Sequence, residues 1–535
     1  MTLTPAPRVI GTVEALLVSS WLEAKVMWRP VWGVCLVVLL FFHATGAARA
    51  DCAVSQVEMS SRSDTAEIAT FYRHWGEDCI WTDRTASDLY KIVSRSDLHG
   101  VAPESFGTRE IAGQLKAGRG TDLAGRDLLL TRAALRYARA MQAGRVDLAA
   151  SGYDIAIPRW EPPVAAGLAA ALKQDRLSEW LRALPPATPE YLRLQKALAF
   201  HRDLAARGDW PPLALEEGRR SLKPGETSAA LATLRGRLVM LGDLRARIGG
   251  DRLDPQTVQA VIRFQSRHGL ERDGIVGPKT LAALNVTPAE RVQKIALNME
   301  CYRIMAHAMP PTRVEVNAAA ATAVLFEDGE PVLRMRTVVG TRKTPTPILS
   351  GMINTVIVNP PWVVPRSIYV GEIAPAIARD PDYLEKHDMF WREGHLVQRP
   401  GPKNSLGRLK FEFASPFAVY LHDTNAPSLF ASDNRFRSHG CIRLEKPLDL
   451  AVRILEPSEW PQERIEAAIA AGETARLPMS RSMPVVVAYW TVFVDEDGTV
   501  EFRDDIYGRD AALAVLLRDD ALPLSRGDAV LACGA

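Results

Sequence analysis

The hydrophobic period changes near residue 312, and that change limits what the chain can fold into. Before it, apolar residues recur at helical spacing. Leu128-Leu129-Leu130, Leu135, Tyr137 and Ala138 form one such run, with Asp127 as its expected cap. Leu231, Leu234, Leu238 and Leu241 form another, and Val258, Val261, Ile262 and Phe264 a third. Such spacing predicts amphipathic helices. After it, Val314 and Val316 precede Val324-Leu325-Phe326, the turn Glu327-Asp328-Gly329-Glu330, and Val332, Met335, Val338 and Val339. That order reads as strand, hairpin turn and return strand. Further strands are expected at 352–358, 409–413 and 417–421.

The chain is therefore multidomain α+β. Its 535 residues exceed one core at roughly 100–200 residues per domain. The expected division is a targeting segment at 1–50 and a helical scaffold at 51–222. A small helical unit follows at 223–300, then a mainly β domain at 312–475 with a helical cap insertion at 371–405. An extension at 476–535 packs on that domain. The 65 Lys and Arg are interspersed with 63 Asp and Glu for a net +2. No basic arm stands out, so there is no electrostatic case for nucleic acid.

Residues 31–42 (VWGVCLVVLLFF) follow Arg29 and precede Ala48-Arg49-Ala50. These are the parts of a secretory signal peptide, and the run is short for a membrane span. Glu14 and Glu23 fit the leading part poorly, and a start at Met27 gives a compact signal. The expectation is a periplasmic protein released by cleavage, with an uncleaved inner-membrane anchor as the alternative. Cys35 leaves with the signal. Cys52, Cys79, Cys301, Cys441 and Cys533 remain, and an odd number leaves one thiol free. In an oxidising compartment the expected bridges are Cys52 with Cys79 and Cys301 with Cys533, leaving Cys441.

Cys441 ends the stretch Ser438-His439-Gly440-Cys441, and His422 lies upstream with 15 residues between it and Ser438. A thiol becomes an acyl acceptor when an imidazole or backbone N–H groups favour its ionisation. Gly440 permits tight backbone geometry there, and the N–H groups of Gly440 and Cys441 could form an oxyanion hole. Zinc on His422, His439 and Cys441 is a competing reading. It lacks a further ligand at metal spacing, so neither a metal nor another cofactor is expected.

Two resemblances sharpen this. Asp273-Gly274-Ile275-Val276-Gly277-Pro278-Lys279-Thr280, set between helices, resembles the signature of the small three-helix peptidoglycan-binding domain. His422 followed by Ser438-His439-Gly440-Cys441 resembles the active site of the L,D-transpeptidase family, with its YkuD-type catalytic domain. Asn359-Pro360-Pro361-Trp362, Tyr420-Leu421-His422-Asp423-Thr424 and the tail from Tyr489 extend the likeness to the large three-module, YcbB-like subgroup. The resemblance implies Cys441 as nucleophile and His422 as base, with Ser438, His439 and Gly440 in support. It implies substrate contact at Arg443, with Trp362 and Asp423 as further candidates. It implies a thioester with a donor tetrapeptide stem of peptidoglycan. The diaminopimelate amine of an acceptor stem then attacks, giving a 3→3 cross-link, and carbapenems acylate the same sulfur. Water as acceptor would give an L,D-carboxypeptidase. A cysteine peptidoglycan hydrolase and a non-catalytic wall-binding protein are the other readings. Partner proteins in the envelope stay open, and Ala318 to Ala321 is a bland run where relatives carry larger residues.

Overall fold

The computed structural model describes residues 65–76, 79–118, 122–246, 249–458 and 460–520. The expected signal peptide, Cys52 and Cys533 lie outside them.

The helical scaffold is built on one apolar core. Phe71, Leu89, Ile111, Ala134, Met141, Leu168 and Leu181 are buried together. Its longest helix, Leu123–Ala143, is capped by Asp122, not Asp127. Asp127 is buried inside that helix and accepts the N–H groups of Ile80 and Trp81 at 2.7 and 3.0 Å and the Tyr72 hydroxyl at 2.7 Å. An acid before an apolar run reads as a cap, yet here it serves a neighbouring segment.

The peptidoglycan-binding-like unit has its own core of Leu222, Leu234, Leu238, Val261, Phe264, Val276 and Leu284. Asp254 caps the helix Pro255–Arg267. Gly274 sits at φ +70°, where a Cβ would crowd Val258. The following helix, Pro288–Met305, does not join this core. Its Ile295, Met299, Tyr302 and Met305 pack with Tyr191, Leu194 and Leu198 of helix Pro189–Ala206 against the β domain. The expected boundaries at 222 and 300 thus differ from the packing, because two helices of similar period serve a different core.

The β domain uses strands β1 (Ile155–Ala156), β2 (Arg313–Asn317), β3 (Thr322–Glu327), β4 (Glu330–Gly340) and β5 (Ile348–Val358). A small insertion contributes β6 (Trp362–Val363), β7 (Met389–Arg392) and β8 (His395–Gln398). Then come β9 (Leu409–Glu412), β10 (Leu421–His422), β11 (Phe436–Ser438), β12 (Ile442–Leu444) and β13 (Ala475–Ala488). A hairpin of β14 (Val492–Val494) and β15 (Val500–Phe502) follows. The main sheet runs β5-β13-β2-β3-β4-β12-β10-β9, and β9 pairs back to β5, closing it. The scaffold adds β1 beside β5, and β11 pairs with β4. The β3–β4 turn is as expected, with Asp328 and Gly329 both at positive φ, the tight hairpin geometry.

Three expectations shift. Residues 475–488 form a central strand, not part of an added extension. Residues 417–420 are irregular, and strand pairing begins at Leu421. Ala318 to Ala321 form a buried turn between β2 and β3, where Asn317 Oδ1 accepts the Ala319 and Trp490 N–H groups at 3.1 and 3.0 Å.

The insertion is a cap with its own small core of Val364, Ile373, Met389 and Leu396, on which Trp362 and Tyr369 pack. Short helical turns between Arg366 and Lys386 cover the three-stranded sheet β6-β8-β7. Cys79 is disulfide-bonded. Cys301 is a free thiol, not a bridge partner. It packs among Leu297, Ile304 and Leu517, an apolar setting where a thiol acts as a small hydrophobe. Among the described residues, no helix is long and apolar enough to cross a membrane.

Candidate active site

Strands β10 and β12 lie side by side and parallel, with Leu421 opposite Ile442 and His422 opposite Arg443. Alternation along a strand sends Leu421 and Ile442 to one face, and both are fully buried in the domain core. The other face therefore carries His422 and Arg443. One step back, the Ile442 N–H donates to the Tyr420 carbonyl at 3.1 Å, which sets Cys441 beside Tyr420. Tyr420, His422, Cys441 and Arg443 thus share one face of two neighbouring strands. On the far side β9 places Lys410 opposite His422, with its ammonium 4.2 Å from the Tyr420 ring centroid.

His422 is buried, and its pKa is lowered to about 3. Desolvation is the main cause, followed by the Arg443 charge. The backbone of Asp423 and Leu406 favours the charged ring but does not prevail, and Nδ1 makes no well-formed hydrogen bond among the described residues. Burial pushes the Cys441 thiol up, opposed by hydrogen bonding from Tyr420 and by the charges of Lys410 and Arg443. The free pair therefore rests as neutral thiol and neutral imidazole. Desolvation lowers the pKa of Arg443, whose Nε has no partner. Tyr420 is held protonated by burial, and its hydroxyl reaches both Cys441 and the Trp362 indole.

The loop that carries Cys441 is fixed from several sides. Ser438 Oγ donates to the Cys441 carbonyl at 2.6 Å and accepts the Gly440 N–H at 3.1 Å. The Gly440 N–H is thus engaged and cannot serve an oxyanion hole, whereas the Cys441 N–H has no acceptor among the described residues. Gly440 stands at φ +111°, a conformation side chains disfavour. Thr346 Oγ1 donates to the Gly440 carbonyl at 2.9 Å and accepts the Gly340 N–H at 2.8 Å. His439 pairs with Glu372 of the cap at 2.6 Å.

Asp423 is not grouped with the cluster. Its carboxylate accepts the Arg408 N–H at 2.7 Å and packs where a Cβ on Gly407 would stand. Trp362 belongs to the cap core and touches the site through Tyr420. The sequence reading missed Tyr420 and Lys410. Strand alternation around His422 points to Tyr420, whereas Lys410 needs the β9–β10 register. Among the described residues no three His, Cys, Asp or Glu side chains converge as a metal site requires.

Residues 311–487 match the family "L,D-transpeptidase catalytic domain". The chain thus carries an L,D-transpeptidase catalytic domain, and it carries a peptidoglycan-binding domain as well. Residues 227–284 match the "Putative peptidoglycan binding domain", and residues 66–198 match a "Scaffold domain". A Haemophilus influenzae protein named "Putative L,D-transpeptidase" is 29% identical over 238 residues, 41% of this chain. The chain spans about half of that relative, 48%. An L,D-transpeptidase structure from Xylanimonas cellulosilytica is 18% identical, with TM-score 0.18, and covers 52% of this chain and 100% of its own. One from Stackebrandtia nassauensis is 13% identical, with TM-score 0.21, and covers 50% and 93%.

Proposed function

We propose that the protein is an L,D-transpeptidase that forms 3→3 cross-links between peptidoglycan stems through a Cys441 thioester. The observation that carries this is the common face of β10 and β12, which sets a thiol, an imidazole and an unpaired guanidinium side by side. The family matches at 311–487 and 227–284 support the substrate.

The chemistry follows from the electrostatics. Cys441 Sγ attacks the carbonyl of the third residue of a donor stem, and its proton passes to His422. The Cys441 N–H and the Tyr420 hydroxyl are the available donors for the oxyanion. His422 then protonates the departing D-alanine amine, leaving the thioester. The neutral side-chain amine of an acceptor diaminopimelate attacks next, passes its proton to His422, and frees the thiol. An imidazolium beside Arg443 and Lys410 is a strong acid and yields its proton readily. A donor carboxylate near Arg443 would offset that cation and raise the His422 pKa, so base strength arrives with the substrate.

We place the enzyme in the periplasm, exported by the signal at 1–50. The disulfide at Cys79 supports an oxidising compartment. Incubation with a stem tetrapeptide and rapid acid quench should yield a protein adduct lacking one D-alanine, mapped to Cys441 by mass spectrometry. An adduct elsewhere, or none in a protein that still turns over substrate, contradicts the assignment.

A further inference from the structure

A second cleft, of about 840 Å³, opens between the peptidoglycan-binding unit and the β domain. Glu271 and Lys279 line it from the first, and Arg342, Asp433, Phe436 and Asp504 from the second and its C-terminal part. None of these five charged side chains forms an ion pair among the described residues, nor does Asp273 beside them, whose carboxylate accepts the Gln265 amide and the Ile275 N–H. All five are exposed, and Phe436 is half-buried beside them.

This cleft adjoins the nucleophile loop. Phe436 opens β11, which ends at Ser438, three residues before Cys441. The Ser438 carbonyl accepts the Thr341 N–H at 3.0 Å and the Thr344 hydroxyl at 3.1 Å. Arg342 lies between those two threonines. The cleft wall therefore continues into the loop that holds the sulfur, whereas the cap reaches the same loop at His439.

We propose that this cleft binds the acceptor stem peptide, a short chain bearing free carboxylates and a free amine, and presents it to the thioester. Unpaired charges of both signs around an apolar patch match a zwitterionic peptide, whereas a neutral glycan would leave them unanswered. The assignment rests on the Cys441 reading given above. It makes the peptidoglycan-binding unit part of the acceptor site.

The test uses full-length Lys279→Glu and Asp433→Lys proteins with a stem tetrapeptide donor and a sugar-free acceptor peptide ending in diaminopimelate. Both substitutions fall on exposed side chains and spare the cores. Each should lower the ratio of dimer to hydrolysed monomer about tenfold by weakening the acceptor, with carbapenem acylation of Cys441 unchanged. An unchanged ratio in both variants overturns the proposal, as does a parallel loss of acylation. An effect seen only with glycan-linked acceptors also overturns it in favour of sugar recognition. Dimers formed by Cys441→Ala would instead refute the nucleophile, and a wild type yielding only trimmed monomer would refute both readings.

Discussion

Cys441 and His422 are brought together by strand register, and their surroundings then hold both neutral. Desolvation and two cations lower His422, and desolvation raises Cys441. A preformed thiolate–imidazolium pair would need the opposite shifts. Alkylation of Cys441 by a small neutral probe should therefore rise with pH through an apparent pKa above the ordinary thiol value of about 8.5. His422, neutral above about pH 3, should add no acid-side limb near neutrality. Full reactivity already at pH 6 would contradict this resting state. Arg443→Gln should raise the His422 pKa, because the second-largest depressing influence is removed, and proton-resonance titration of the ring would report it. Cys441 and His422 were legible as a candidate pair because four contiguous motif residues and one upstream histidine carry them. Tyr420 and Lys410 were not, because their roles depend on which strands become neighbours.

At the scale of elements, the C-terminal segment reaches the Cys441 loop through a short relay. Arg509 is buried among Tyr153, Tyr489 and Tyr507 and donates to the Thr346 carbonyl at 2.8 Å. The Thr346 hydroxyl in turn holds Gly440 and Gly340. A Cβ on Gly340 would run into the Thr344 carbonyl, which shows how closely these loops approach. Thr346→Val keeps the shape and removes both hydrogen bonds. It should cost about 1–3 kcal/mol of stability, the penalty for an unpaired buried polar group, and slow carbapenem acylation of Cys441. Thermal unfolding and acylation kinetics would measure the two effects, and unchanged values in both would remove Thr346 from the relay. Hydrophobic period revealed the helices, the β3–β4 hairpin and the change of fold type. It did not reveal that β13 is central, because a strand buried by pairing on both edges carries no mark of its partners. The misplaced Asp127 cap has the same origin, since its acceptor role is set by a segment more than forty residues away.

For the whole molecule, helix Pro288–Met305 is the strut between modules. Arg303 and Glu300 are fully buried and paired. Arg303 also donates to the His99 carbonyl at 2.7 Å and the Tyr191 hydroxyl at 2.8 Å, and Glu300 accepts the Arg145 N–H. A buried ion pair therefore ties the scaffold to this helix, and the same helix packs on the β domain. Arg303→Ala leaves Glu300 with Arg145 alone and should cost about 3–5 kcal/mol, read as a lower denaturant midpoint. A midpoint unchanged within error would show that the strut is held by apolar packing instead. This arrangement fixes the peptidoglycan-binding unit beside the β domain, where the proposed chemistry depends on one sulfur. The most direct test is mass spectrometry of muropeptides incubated with the wild-type protein and with Cys441→Ala. The wild type should convert tetrapeptide stems into 3→3 dimers with release of D-alanine, and the variant should leave them unchanged. Dimers of the same linkage formed by the Cys441→Ala protein would contradict the account.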